Sequence, residues 1–205
     1  MDIYRYDESF REKGPKRIAG IDEAGRGPLA GPVVASAVVM SGVERIKGLR
    51  DSKKVPEKER EFLFLEILSC CLDVGVGIIE ADEIDRINIL KATRRAMEKA
   101  VKDLTTEPDF LLIDAVNLPS LHIKQVSPIK GESVSASIAA ASIIAKVVRD
   151  RLMLQFHDLY PEYGFEKHKG YGTKEHIEKL QNYGPCPIHR KSFEKVMDLM
   201  LPLEW

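Results

Sequence analysis

The chain has 205 residues, 44% of them hydrophobic and 31% charged, a balance that excludes a disordered or fibrous protein and fits one sizeable packed core. A formal net charge of −1 excludes grip on a polyanion by bulk charge and leaves that task to local clusters of Lys and Arg. The three cysteines, Cys70, Cys71 and Cys186, are odd in number and lack metal-ligand spacing, which indicates neither a disulfide framework nor a zinc site and fits a reducing cytoplasm.

The polar start "MDIYRYDESFREKG" has neither the basic opening nor the apolar run of a signal peptide. The apolar runs "VVASAVVM" and "IAAASIIA" are too short to span a bilayer, so a cytoplasmic protein with no membrane partner is expected. "RIAGID" reads as a short strand and "GPVVASAVVM" as a buried one, suited to antiparallel pairing. A helix is predicted to start near Pro56, with Phe62, Leu65, Ile67 and Leu68 at near-helical spacing. "VGVGIIE" supplies a third strand. One short and one long helix follow, with Ile84, Ile87, Ala92, Ala96 and Ala100 at helical intervals. "PDFLLIDAV" is a fourth strand ending in an acid, and "LHIKQVSPI" a weaker fifth. From Glu132 to about Tyr160 the chain reads as helix. A loop, "PEYGFEKHKGYGTKEH", leads into a short helix, and "HRKSFEKVMDLM" is predicted as a final amphipathic one. This order predicts an α/β fold with a mixed sheet flanked by helices.

Two chemistries compete for "GIDEAGRGPLAGP". Gly25, Gly27 and Ala30 match the G-x-G-x-x-A pattern of dinucleotide-binding folds, but that site needs a helix beginning at the glycines. Here Pro28, Gly31 and Pro32 lead into β-branched "VVASAVV", which disfavours a nucleotide-dependent oxidoreductase. The metal reading starts from Asp22 and Glu23 at the end of the first strand and Asp114 at the end of "FLLID". Adjacent carboxylates in a partly buried place repel each other unless a proton or a cation such as Mg²⁺ or Mn²⁺ intervenes. An acid after a strand is equally at home in a solvated turn, so spacing alone leaves both readings open. Ser142, Lys146 and Asp150, at i, i+4 and i+8, share a face of the long helix, and the small residues of "SASIAAASIIA" would let that helix lie close to the sheet and carry Asp150 toward the other acids. Close packing and a helix ion pair account for the same residues.

Together, "GIDEAGRGPLAGPVVASAVV", "DSKK", "LLIDAV", "SASIAAASIIAKVVRDRLM" and "HKGYGTKEH" resemble the ribonuclease HII family, the type 2 ribonucleases H, with the blocks in family order from about Arg17 to Phe193. The resemblance implies an RNase H-like α/β fold with a central mixed five-stranded sheet. A single catalytic domain would span residues 1–205, with a core of about 15–160 and a C-terminal helical extension of about 161–205. It implies a metal-dependent endoribonuclease acting on RNA/DNA hybrids and on duplex DNA with embedded ribonucleotides. Asp22, Glu23, Asp114 and Asp150 match the four catalytic acids that hold two Mg²⁺ or Mn²⁺ ions. Gly25, Arg26 and Gly27 match the turn that meets the ribose and phosphate at the cleavage site. Lys53 matches a phosphate contact, and Tyr171 the tyrosine that stacks at the ribonucleotide–deoxynucleotide junction. The fourth acid is Asp rather than Glu and no long N-terminal domain is present, both unlike the type 3 enzymes. The end "LMLPLEW" carries no sliding-clamp peptide, so no clamp partner is expected, and a monomer is. None of the five histidines has metal-ligand spacing with the acids, and His168 and His176 are read as surface or loop residues. A hybrid-binding protein without catalysis remains the alternative.

Overall fold

The computed structural model describes residues 2–42 and 45–198. Helix α1 (Ile3–Arg11) precedes strands β1 (Ile18–Ala24) and β2 (Val33–Met40), followed by α2 (Glu57–Cys70), β3 (Cys71–Ile79), α3 (Ala81–Ile87), α4 (Ile89–Asp103), β4 (Phe110–Ile113), β5 (Lys124–Val126) and the long α5 (Ala136–Leu159). Shorter helices α6 (Phe165–His168), α7 (Lys174–Tyr183) and α8 (Glu194–Met197) close the described chain. Among the described residues five strands form one sheet in the order β3-β2-β1-β4-β5, with β1–β2 and β2–β3 antiparallel and β1–β4 and β4–β5 parallel. The expected mixed sheet is therefore present.

Both faces of the central strands are covered, which is why β2 reads as an unbroken apolar run rather than an alternation. On one face Ile21, Val33, Ala35 and Ile113 pack with Ile84, Ala92, Ala96 and Ala100 of α3 and α4. On the other, Val38 and Met40 meet Leu63, Phe64 and Ile67 of α2 and the small-residue stripe of α5. The second cluster corrects the predicted register of α2. Phe62, Leu65 and Leu68 are 58%, 62% and 45% exposed, and the buried stripe is Leu63, Phe64 and Ile67. A helix with apolar residues around much of its circumference gives two competing stripes, and α5 selects between them.

Three further differences have local causes. The polar leader is the helix α1: Asp2 caps it by accepting from the Tyr4 N–H at 3.0 Å, and Tyr6 and Phe10 pack on Ile18, Phe110 and Leu112. Helix α5 starts at Ala136 rather than Glu132 because Ser135 caps it, its hydroxyl accepting from the Ile138 N–H. Glu132 instead sits in a short 3₁₀ turn, Gly131–Ser133. The final helix is the short α8; residues 199–205, which include the clamp-peptide reading of "LMLPLEW", lie outside the described residues. Among the described residues no helix is long and apolar enough to cross a membrane.

Candidate active site

Ile21 of β1 pairs with Ile113 of the parallel strand β4, so Asp22 and Asp114, the next residues of each, emerge side by side at the same end of the sheet. The Asp114 N–H extends that ladder by donating to the Ile21 carbonyl at 3.0 Å. Strand ends of this kind hold side chains rigidly at the rim of a sheet, where sites form. The Asp22 carboxylate is 5% exposed and accepts from the Glu23 N–H at 2.7 Å, and the Ser142 hydroxyl of α5 also hydrogen-bonds it. The Gly131 N–H donates to Asp114 at 2.7 Å.

These carboxylates oppose one another. Burial, then the charges of Glu23 and Asp114, push the Asp22 carboxyl well above the usual carboxylate range. Burial raises Glu23 as well, against the pull of Arg26, whose guanidinium lies 3.4 Å away. Glu132, which the sequence reading passed over as part of a helix, joins the group. It is 8% exposed and raised first by burial and then by the charges of Asp114 and Asp51. Buried oxygens of Glu23 and Glu132 have no hydrogen-bond partner. A set of hard, mutually repelling oxygen donors with unsatisfied lone pairs fits Mg²⁺ or Mn²⁺, and not a metal that prefers His or Cys.

Asp150 does not join that group in the structure. Its carboxylate is held by Lys146 at 2.5 Å and by Arg60 of α2 at 3.3 Å, the helix ion pair that the i, i+4 spacing also allowed. Among the described residues no three His, Cys, Asp or Glu side chains are already arranged to grip an ion.

Next to the acids opens a cleft of about 480 Å³ lined by Gly25, Arg26, Gly27, Lys53 and Tyr171, all five of the expected substrate contacts, together with Glu23 and Lys146. Tyr171 is 45% exposed, with the cationic ends of Lys146 and Arg149 at 6.0 and 5.8 Å from its ring centre. Partial burial opposes the charge of Lys53, but Asp22, Asp51, Glu132 and Glu23 outweigh it and hold the ammonium above the usual lysine range. A cation beside a half-exposed ring and an open glycine turn is the chemistry a phosphate backbone and a base or sugar face require.

Two buried guanidiniums that the sequence reading missed lie behind the glycine turn of this cleft. Arg190 donates to the carbonyls of Gly25, Arg26, Pro28 and Gly31 at 2.6 to 3.0 Å, and Arg149 to those of Pro32 and Ala30 at 3.0 and 3.2 Å. Both are fully buried. With its carbonyls bound inward, the turn is fixed from behind. Gly25 has φ +99°, and a Cβ there would lie 2.1 Å from Arg149 Nε and 2.7 Å from the Pro32 carbonyl oxygen. Gly25→Ala is therefore expected to shift the turn and lower turnover by about 10²-fold, the effect of a misplacement of the order of 1 Å, while the far-UV circular dichroism stays native. Turnover within twofold of wild type would show that the turn is not held to this geometry.

His168 and His176 are not surface residues: they are 8% and 0% exposed and stack at 4.4 Å beneath Tyr171. Aromatic and small residues of the C-terminal helices close around them, with Phe165, Tyr163, Leu180 and Met153 in one cluster. Polar residues in a glycine-rich stretch read as loop in one dimension, and their burial comes from packing with residues such as Phe165 and His189.

A sequence profile described as ribonuclease HII matches residues 19–196. Ribonuclease HII of Caldanaerobacter subterraneus subsp. tengcongensis is 52% identical over 193 residues, 94% of this chain and 80% of that protein. Ribonuclease HII of Bacillus velezensis is 57% identical over 196 residues, 96% of this chain and 76% of that protein. The crystal structure of ribonuclease H2 from Pyrococcus horikoshii OT3 superposes with a TM-score of 0.75 at 29% identity, covering 89% of this chain and 96% of that one. The chain belongs to the ribonuclease HII family, metal-dependent endoribonucleases of the RNase H type that act on RNA/DNA hybrids.

Proposed function

We propose that this protein, besides cutting the RNA strand of RNA/DNA hybrids, incises duplex DNA on the 5′ side of an embedded ribonucleotide and leaves 3′-OH and 5′-phosphate ends. The observation that carries the reading is the convergence of Asp22, Glu23 and Asp114 beside the cleft that Gly25, Arg26, Gly27, Lys53 and Tyr171 line. Two divalent cations, Mg²⁺ or Mn²⁺, supply activation of the attacking water and stabilisation of the leaving 3′ oxygen when bound. Asp22, Glu23 and Asp114 are the residues to hold them. Glu132, buried beside Asp114 with an oxygen that has no hydrogen-bond partner, takes the fourth position in this reading, because the expected Asp150 is held by Lys146 and Arg60. The entire chain acts as one catalytic domain in this reading, with the C-terminal segment supplying Tyr171 to the cleft and Arg190 to the carbonyls of the glycine turn.

Recognition is assigned to the chain's own groups. A ribonucleotide differs from its DNA neighbours in the 2′-OH, both donor and acceptor, which a close glycine backbone at Gly25–Gly27 can read. The Tyr171 ring stacked over the next sugar disfavours a 2′-OH there and selects the junction, and Lys53 meets a phosphate as a point charge. Tyr171→Ala is expected to lower the ratio of junction to internal cleavage on a strand with four consecutive ribonucleotides by about tenfold, the loss of one stacking contact, with little change in melting temperature. An unchanged ratio would remove Tyr171 from the recognition scheme.

A further inference from the structure

Beneath the cleft, the three buried histidines have only one self-consistent set of protons. His176 Nδ1 lies 2.9 Å from the Tyr171 carbonyl oxygen, which can only accept, so Nδ1 carries the hydrogen and Nε2 of the neutral ring is an acceptor. His189 Nε2 lies 3.0 Å from that acceptor and must donate to it. His189 Nδ1 is then free to accept, and it receives the Cys186 N–H at 3.0 Å. His168 obeys the same logic: Nε2 donates to the Tyr163 carbonyl at 2.9 Å, and Nδ1 accepts from the Gly170 N–H at 3.2 Å. Burial holds His176 and His189 neutral, both at about 4.

Two of these hydrogen bonds reach the segment that carries Tyr171, one at the Tyr171 carbonyl and one at the Gly170 N–H. The Tyr171 N–H donates to the His168 carbonyl at 2.9 Å, and its own carbonyl accepts from the Thr173 N–H at 2.8 Å as well as from His176. The same segment touches the glycine turn, since the Leu29 N–H donates to the Gly170 carbonyl at 2.8 Å. His189 is followed directly by Arg190, which binds the turn's carbonyls.

We propose that His176 and His189 are positioning residues, a directional hydrogen-bond relay from Cys186 to the Tyr171 carbonyl that fixes the tyrosine ring relative to the glycine turn and so sets which phosphodiester is cut. This rests on Tyr171 reading the junction, as proposed above. The relay has a defined polarity, and that separates it from mere filling of space. Asn at position 176 can place an amide N–H where Nδ1–H stands, whereas Gln reaches the Nε2 position and leaves the Tyr171 carbonyl without that donor.

The test joins a spectroscopic and a kinetic readout on the full chain. In ¹⁵N-labelled wild-type protein at neutral pH, ring nitrogen shifts are expected to report His176 as the Nδ1–H tautomer and His189 and His168 as Nε2–H tautomers. His176 as Nε2–H, or a doubly protonated His176 or His189, would overturn the relay without any variant being made. On a strand with four consecutive ribonucleotides, His176→Gln is expected to lower the junction-to-internal cleavage ratio about five- to tenfold, the worth of one net hydrogen bond, while His176→Asn, which keeps the donor to the Tyr171 carbonyl and loses the acceptor for His189, lowers it by only about two- to threefold. If His176→Gln does not fold, the pair His189→Asn, which withdraws the donor to His176, and His189→Gln, which retains it, is expected to divide the same way. Equal ratios within a pair, alongside a reduced ratio for Tyr171→Ala, would overturn the positioning role alone. An unchanged ratio for Tyr171→Ala would instead bring down the reading of Tyr171 on which it rests.

Discussion

Asp22→Asn is expected to abolish cleavage and to raise, not lower, the melting temperature of the cation-free protein. Loss of turnover follows from replacing a central carboxylate by a neutral amide. Changing only the outer partners of metal ligands costs about 10–100-fold, and loss of a ligand exceeds that. The gain in stability follows from the raised Asp22 carboxyl, which burial and the charges of Glu23 and Asp114 cause. A carboxyl raised in the fold penalises the folded state when it ionises. The penalty is absent below the unfolded value of about 4, grows as pH rises from there through the folded value, and is then constant. The variant's advantage is thus largest at pH 8 and fades toward pH 4, at about 2–4 °C for each kcal/mol relieved. Mg²⁺ or Mn²⁺ is expected to raise the melting temperature of wild type more than that of the variant. Thermal melts at both pH values, with and without cation, check this, and a variant less stable than wild type at pH 8 would contradict the electrostatic description of the site.

Gly20→Ala carries the largest expected effect on the fold itself. A Cβ at Gly20 would lie 2.0, 2.3 and 2.4 Å from Ser137 C, Ser137 O and Ile138 N, all backbone atoms of the first turn of α5. No side chain can rotate away. That turn is also anchored by buried Asp7 of α1, which accepts from the Ser137 N–H at 2.8 Å and from its hydroxyl at 2.6 Å. Overpacking against backbone on both sides is expected to cost about 3 kcal/mol or more, a fall in melting temperature of roughly 10 °C. Separating α5 from β1 also moves Ser142 away from Asp22, so residual turnover should drop with stability. A denaturant midpoint within error of wild type would show that α5 does not need this close approach.

What the sequence makes legible follows from how local each signal is. Asp22 and Asp114 were legible as acids that follow apolar strand residues, with the choice between a metal site and a solvated turn left open, and parallel pairing of β1 with β4 brings the two side by side. Gly25–Gly27 came from the family resemblance, since the glycine pattern alone also fits a dinucleotide fold, and the β-branched residues after Pro32 excluded a helix there, as β2 bears out. Arg149 and Arg190 could not be found this way, since each looks like any charged residue near a helix or loop and is buried only through partners more than a hundred positions away. Glu132 was missed for a nearer reason: it reaches Asp114 only after the 3₁₀ turn forms. Phe62, Leu65 and Leu68 misled because α2 is apolar on two stripes. Asp150 was expected to meet the other acids and is held instead by Lys146 and Arg60, a tertiary result that i, i+4 spacing does not decide.

The central claim is that carboxylates at the sheet edge direct a cation-dependent water attack beside a glycine turn that reads a ribose. Incubating the protein with an end-labelled DNA duplex that contains one ribonucleotide, in EDTA, Mg²⁺ or Mn²⁺, and analysing the chemistry of the new ends tests it most directly. Incision on the 5′ side of the ribonucleotide is expected only with a divalent cation, giving 3′-OH and 5′-phosphate ends. Cleavage that persists in EDTA, or a 2′,3′-cyclic phosphate product, would mean that the substrate's own 2′-OH is the nucleophile and would contradict the account.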